Sequence, residues 1–176
     1  CRGAIAALNT ALSGLKYTPT ADAFGSDVLT LFVSDLDTGE DGAGTVSGTI
    51  GLTIEPVNDP PQITLPSTQA TSEDTPVTLS AGSSNAITVS DIDAGGSDLI
   101  VTLTAQGTIT LGDPGAVVVL TGDGTDDPLV RMRGTITQLN SAMEGMTFLS
   151  PTSFVGQATL QVDIDDQGLG GSGGAL

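Results

Sequence analysis

Three acidic groups recur at places where the ends of β-strands would gather them. Asp35 and Asp37 follow the alternating run Val28-Leu29-Thr30-Leu31-Phe32-Val33, Asn58 and Asp59 sit in Glu55-Pro56-Val57-Asn58-Asp59-Pro60-Pro61, and Asp91 and Asp93 flank Ile92. In an extended Asp-Ile-Asp the middle side chain points to the opposite face, so both carboxylates project the same way and can share one hard cation. Glu73 is a further oxygen donor, and Asp165 and Asp166 end a later strand as Asp35 ends the first. Carboxylates, amides and carbonyls without nitrogen or sulfur ligands select calcium over zinc or copper, because a hard cation takes six to eight oxygens. The competing reading of Asp91 and Asp93 is an ordinary turn, since aspartate tolerates turn geometry and caps backbone donors. The cluster Asp123-Gly124-Thr125-Asp126-Asp127 reads as a solvated loop.

What must position these groups is a pair of β-domains meeting at the proline-rich stretch. Pro56, Pro60 and Pro61 remove backbone donors and hold the chain extended, so neither helix nor central strand passes through. Thr49–Ile54 alternates as a strand before it, and Gln62–Leu65 starts a strand after it. The expected domains are 1–57, the C-terminal part of one repeat, and 58–176, a nearly complete repeat lacking its last strand.

A repeat at an offset of 131 supports that division. Arg2-Gly3-Ala4-Ile5 through Leu8-Asn9-Thr10-Ala11-Leu12-Ser13-Gly14 matches Arg133-Gly134-Thr135-Ile136 through Leu139-Asn140-Ser141-Ala142-Met143-Glu144-Gly145. The match continues with Tyr17 and Phe148, Leu29 and Leu160, Leu31 and Val162, Val33 and Ile164, and Asp35 and Asp166. Ile5, Leu8, Leu12 and Leu15 have helical spacing, which predicts a short helix ended by Gly14 in one copy and Gly145 in the other. Leu8 and Leu139 should therefore be equivalent core residues. Thr45–Val57 is a closing strand in the first copy, and the second reaches a glycine-serine stretch, 168–174, where that strand is still to come. Between junction and second copy, strands are expected at Gln62–Leu65, Val77–Ala81, Ala86–Ser90, Leu99–Ala105, Thr108–Leu111, Val117–Thr121 and Leu129–Met132, a spacing that favours a sandwich.

Composition narrows the function classes. Aromatics make up 3% of the 176 residues, while 24 glycines and 9 prolines point to many turns, as in an all-β protein with a Val/Ile/Leu/Thr core. Four basic against 21 acidic residues give a formal charge of −17, which repels phosphate backbones and anionic membranes, so no nucleic acid partner is expected. One cysteine and no histidine leave no disulfide pair, no Cys/His zinc site and no histidine-based triad. No apolar run is long enough for a membrane span. Cys1 could be read as a lipid-bearing lipoprotein cysteine, but the residues after it look like the middle of a domain rather than a polar tether.

The order Val57-Asn58-Asp59-Pro60-Pro61, Glu73-Asp74-Thr75-Pro76-Val77, Ser90-Asp91-Ile92-Asp93 and Leu139-Asn140-Ser141-Ala142, then a strand ending in Asp, resembles the cadherin-like tandem repeats of giant bacterial surface proteins and adhesins. The Asn-Asp-Pro-Pro segment is similar to the linker of animal cadherins, and Asp91-Ile92-Asp93 to the Asp-x-Asp those domains offer to inter-domain calcium. Pro60 stands where the animal motif has a second asparagine. The resemblance implies Greek-key, cadherin/Ig-like β-sandwich repeats joined by a short linker, each with one helical turn, with calcium at the junction.

The leading expectation is thus a structural spacer in a long extracellular, surface-exposed bacterial adhesin or filament, whose partners are neighbouring repeats of the same protein. A self-assembling filament subunit, joined to identical copies by strand complementation, is the alternative reading of the unequal halves. A carbohydrate or host-surface recognition module is disfavoured by the few aromatic platforms. An enzyme is disfavoured because no tuned acid or cleft accompanies the carboxylates.

Overall fold

The computed structural model describes residues 1–35, 44–170 and 172, so Asp37 lies outside the described residues. The chain divides into two compact units, Cys1–Pro56 and Val57–Leu176.

The first unit contains helix α1 (Ile5–Leu12) and the antiparallel pair β1 (Gly25–Ser34) and β2 (Thr45–Ile54). The helix is closed by Gly14 at φ +82°, a left-handed position glycine takes without a Cβ penalty. Val33 faces Val46, Leu29 faces Ile50 and Asp27 faces Leu52, so one face of the hairpin carries Leu29, Leu31, Val33, Val46, Ile50, Leu52 and Ile54. None of the unit's described residues is buried. The expectation that Leu8 and Leu12 form core is therefore corrected: both are at least partly exposed, because a helix and one hairpin do not enclose a core. Tyr17 donates its hydroxyl proton to the Asp27 carboxylate, which also accepts from the Val28 amide. The hydrogen bond to Asp27 raises the tyrosine above its usual range, and the same bond lowers the aspartate.

The second unit is built on one long strand. β3 (Gln62–Thr64) and β5 (Thr88–Ser90) pair in a small sheet, and β4 (Val77–Leu79), β6 (Leu99–Thr110), β7 (Val118–Thr121), β8 (Asp127–Gly134), β9 (Met146–Leu149) and β10 (Leu160–Asp165) form the main one. Every pairing between strands is antiparallel. β6 holds β8 along one edge, while the other edge holds β10 over Ile100–Ala105 and β9 over Thr108–Thr110. The sequence separates Leu99–Ala105 from Thr108–Leu111; the strand instead runs through Gly107, where a Cβ would meet the Leu149 carbonyl. β9 was not expected as a strand, since four residues around one aromatic show no alternation.

Leu99, Val101, Leu103 and Ile109 of β6, Val130 and Met132 of β8, and Leu139, Ala142 and Met143 of helix α2 (Ile136–Met143) make one buried cluster with Leu79, Ile87 and Val89. The layers and the all-antiparallel sheets are compatible with a β-sandwich. α2 has the capping box that α1 lacks: Thr135 and Gln138 cap each other reciprocally, where the first copy has Ala4 and Ala7. Asn140 locks the helix to the sheet, accepting from Val89 N at 2.8 Å and donating to Val89 O at 2.9 Å, so it satisfies a strand residue as another strand would. Gly145, at φ +76°, ends the helix as Gly14 does.

Two outcomes follow. Leu139→Ala, at a fully buried site, should cost ~2–5 kcal/mol in chemical denaturation, and Leu8→Ala under about 1 kcal/mol, because the repeated sequence sits in unequal surroundings. The single tyrosine, in a chain without tryptophan, lets ultraviolet absorbance follow the Tyr17 phenol alone. Its titration midpoint should lie above the ordinary tyrosine value and fall in Asp27→Asn, and an unchanged midpoint would remove the interaction.

Candidate metal centre

Asp91 follows β5 and leads into a bend at Ile92 and Asp93, not into the extended strand that the Asp-Ile-Asp spacing suggested. Its Oδ1 accepts from Asp93 N at 2.7 Å and Ala94 N at 3.1 Å, closing an Asx turn. Its Oδ2 is buried and has no hydrogen-bond partner among the described residues. One carboxylate therefore serves the turn with one oxygen and keeps the other in reserve, and a buried acceptor left so costs about 1–3 kcal/mol unless something binds it.

Asp93 is linked to the entering chain, its Oδ2 accepting from Asp59 N at 2.5 Å. Asn58, 5% exposed, donates from Nδ2 to Asp166 Oδ2 at 2.6 Å, and its main-chain N–H donates to Ser172 O at 3.1 Å. Asp166 is 0% exposed, and its other oxygen accepts from Gly168 N at 3.0 Å. The β10 face that carries Leu160, Val162 and Ile164 inward continues to Asp166, whereas Asp165 falls on the opposite face, is exposed, and accepts from Gln167 N at 2.8 Å. Gly170, at φ +118°, closes the cluster: a Cβ there would collide with the Asp93 side chain and lie 3.2 Å from Asn58 Oδ1.

The structure thus brings Asn58, Asp59, Asp91, Asp93 and Asp166 to one end of the second unit. Asp165 is adjacent in sequence but turned to solvent. Glu73 is elsewhere: it is exposed in a turn whose neighbour Asp74 accepts from Ser153 N, in the loop that leads into β10, while Asp166 follows the other end of that strand. Asp35, in the first unit, closes the hairpin through Gly44, whose N–H it accepts at 2.8 Å. The loop containing Asp123, Asp126 and Asp127 is tied internally, Asp127 Oδ2 accepting from Asp123 N and Gly124 N.

All donors at the Asn58 end are oxygens, and the buried Asp91 Oδ2 fits a hard cation. Among the described residues no group of three or more Asp, Glu, His or Cys side chains converges tightly enough to hold a metal by itself. A cation here would combine carboxylates with the Asn58 amide, main-chain carbonyls and water, the mixed set calcium accepts. Among the described residues, no helix is long and apolar enough to cross a membrane. No family model, curated protein or solved structure matches the chain.

Gly170→Ala should lower stability by about 1–3 kcal/mol, combining a left-handed backbone with the contact to Asp93. Gly96→Ala, where a Cβ meets nothing, should stay within about 0.5 kcal/mol in the same denaturation series, and equal effects would contradict the packing of Gly170 into the cluster.

Proposed function

We propose that the chain is a calcium-stiffened spacer of the cadherin-like type, a repeat in the stalk of a long extracellular bacterial adhesin or surface filament. The observation that carries this reading is the buried Oδ2 of Asp91, which has no hydrogen-bond partner among the described residues, in a cluster that also contains Asp93, Asn58 and the fully buried Asp166. The chain enters the second unit through this cluster, at Val57-Asn58-Asp59, so an ion bound there is tied directly to the linker from the preceding unit. Asp91, Asp93, Asn58 and Asp166 are the proposed ligands from this unit.

The electrostatic argument runs the same way. With a formal charge of −17, unneutralised acidic junctions repel, and a divalent ion removes both the repulsion and the freedom of the linker. The main-chain N–H groups of Asp59, Asp93, Ala94 and Gly168 already orient these carboxylates, so binding needs little rearrangement of the second unit.

Calcium at about 100 times its Kd should stabilise the second unit by about 2.7 kcal/mol and raise its Tm, with Asp91→Asn/Asp93→Asn insensitive to the ion. Small-angle scattering should show a longer molecule in calcium than in chelator. Identical melting curves in calcium and chelator overturn the site. A Tm rise with unchanged scattering keeps the site and removes the spacer role.

A further inference from the structure

The outward face of the main sheet carries its charges in rows. β10, β6 and β8 lie side by side, and their registers set Asp163 opposite Thr102 opposite Arg131, and Asp165 opposite Ile100 opposite Arg133. Directly opposed residues share a face, and here it is the outer one: Arg131 and Arg133 are exposed on either side of the buried Met132, and Asp163 is exposed between Val162 and Ile164, which pack against the core. β6 separates the two cations from the two carboxylates by two strand spacings, roughly 10 Å, so a positive stripe runs along one side of it and a negative stripe along the other. Arg133 reaches Asp98 at 3.6 Å, both side chains being 47% exposed, and Arg131 has no ion pair among the described residues.

A face divided in this way matches a copy of itself. A two-fold axis along β6 exchanges the two stripes and keeps every row at its own height, laying Arg131 of one copy over Asp163 of the other and Arg133 over Asp165, twice each. A two-fold axis across the strands lays arginine over arginine and aspartate over aspartate, which like-charge repulsion disfavours. On the axis along β6 the partly buried Ile100 and Thr102 meet their own counterparts, at the roughly 10 Å spacing of sheets packed with aligned strands.

A surface that fits must offer two cations two residues apart on one strand and two carboxylates in the same rows two strands away. The first unit has no such pattern: β1 and β2 carry no Lys or Arg, and its two cations, Arg2 and Lys16, lie on either side of α1. The face itself has it. We propose that this face pairs with the same face of a second copy of the chain about a two-fold axis along β6, so that the two chains lie side by side and run in the same direction. The contact is isologous and closes as a dimer. Six residues along the strands and four strands across give about 400 Å² per copy, half the roughly 800 Å² per partner of a standard interface, so the pair is weak and forms at high protein concentration. It uses none of the proposed calcium ligands.

The test is sedimentation of the whole chain from about 10 μM to about 1 mM, in calcium and in chelator, the range in which so small an interface is expected to fill. A concentration-dependent dimer should appear in both, and should weaken as salt is added, because its ion pairs sit at a half-exposed surface. Arg131→Asp and Asp163→Arg, each made alone, turn two attractions per dimer into two repulsions and should each weaken pairing at least roughly tenfold, while amide exchange at Leu99–Leu103 stays slow. Mixed in equal amounts the two variants carry an acidic and a basic middle row, and should pair with each other where neither pairs with itself. A chain that stays monomeric up to about 1 mM overturns the proposal, as it would if another part of the same chain covered the face. So does a dimer that neither salt nor either substitution weakens, or a mixture that associates no better than its components.

Discussion

A carboxylate with none of its surface in water is tolerable only if something compensates the lost hydration, and Asp166 imposes that condition on one end of the second unit. Asn58 meets it with a side-chain amide and Gly168 with a main-chain N–H. Those bonds in turn tie the linker to the turn after β10, and Gly170 lets the turn lie against Asp93 without a Cβ between them. Asp93 then holds Asp59. The linker is thus fixed by acidic side chains, a weak arrangement for a chain of this charge unless a cation shares it.

The rest of the unit keeps that end rigid. β6 carries neighbours on both edges, so the strand leading to Asp166 and the one preceding α2 are registered against the same backbone. Asn140 joins α2 to Val89, and β5 runs on to Asp91 two residues later. The helix is therefore hydrogen-bonded to the strand that leads into the acidic turn. The first unit has the corresponding Asn9 and helix but no enclosing sheet, which is why similar sequences give a buried Leu139 and a half-buried Leu8.

Much of this was legible in the residues. The repeat located both helices, their closing glycines and the strands β1 and β10, because helical spacing, positive-φ glycines and alternation are local signals. Two strands, Leu99–Ala105 and Thr108–Leu111, are expected where β6 runs unbroken, and only the close approach of Leu149 explains why the strand needs a glycine at 107. Asp91 was read by strand alternation, yet its own oxygen stabilises a turn that ends the alternation. Asp166 could have been separated from Asp165 by extending the Leu160-Val162-Ile164 parity one step further. Glu73 could not have been excluded, since its distance from the other donors depends on which end of β10 its loop meets.

The central claim is that the Asn58 end binds calcium, and an NMR titration reads it most directly. With calcium added to nitrogen-15-labelled protein, the Asn58 side-chain amide and the main-chain N–H groups of Asp93 and Gly168 should shift together and saturate, while those of Thr125 and Asp126 in the exposed acidic loop stay in place. Signals at Asn58, Asp93 and Gly168 that do not move, or move only in step with the exposed acidic loop, would contradict the account.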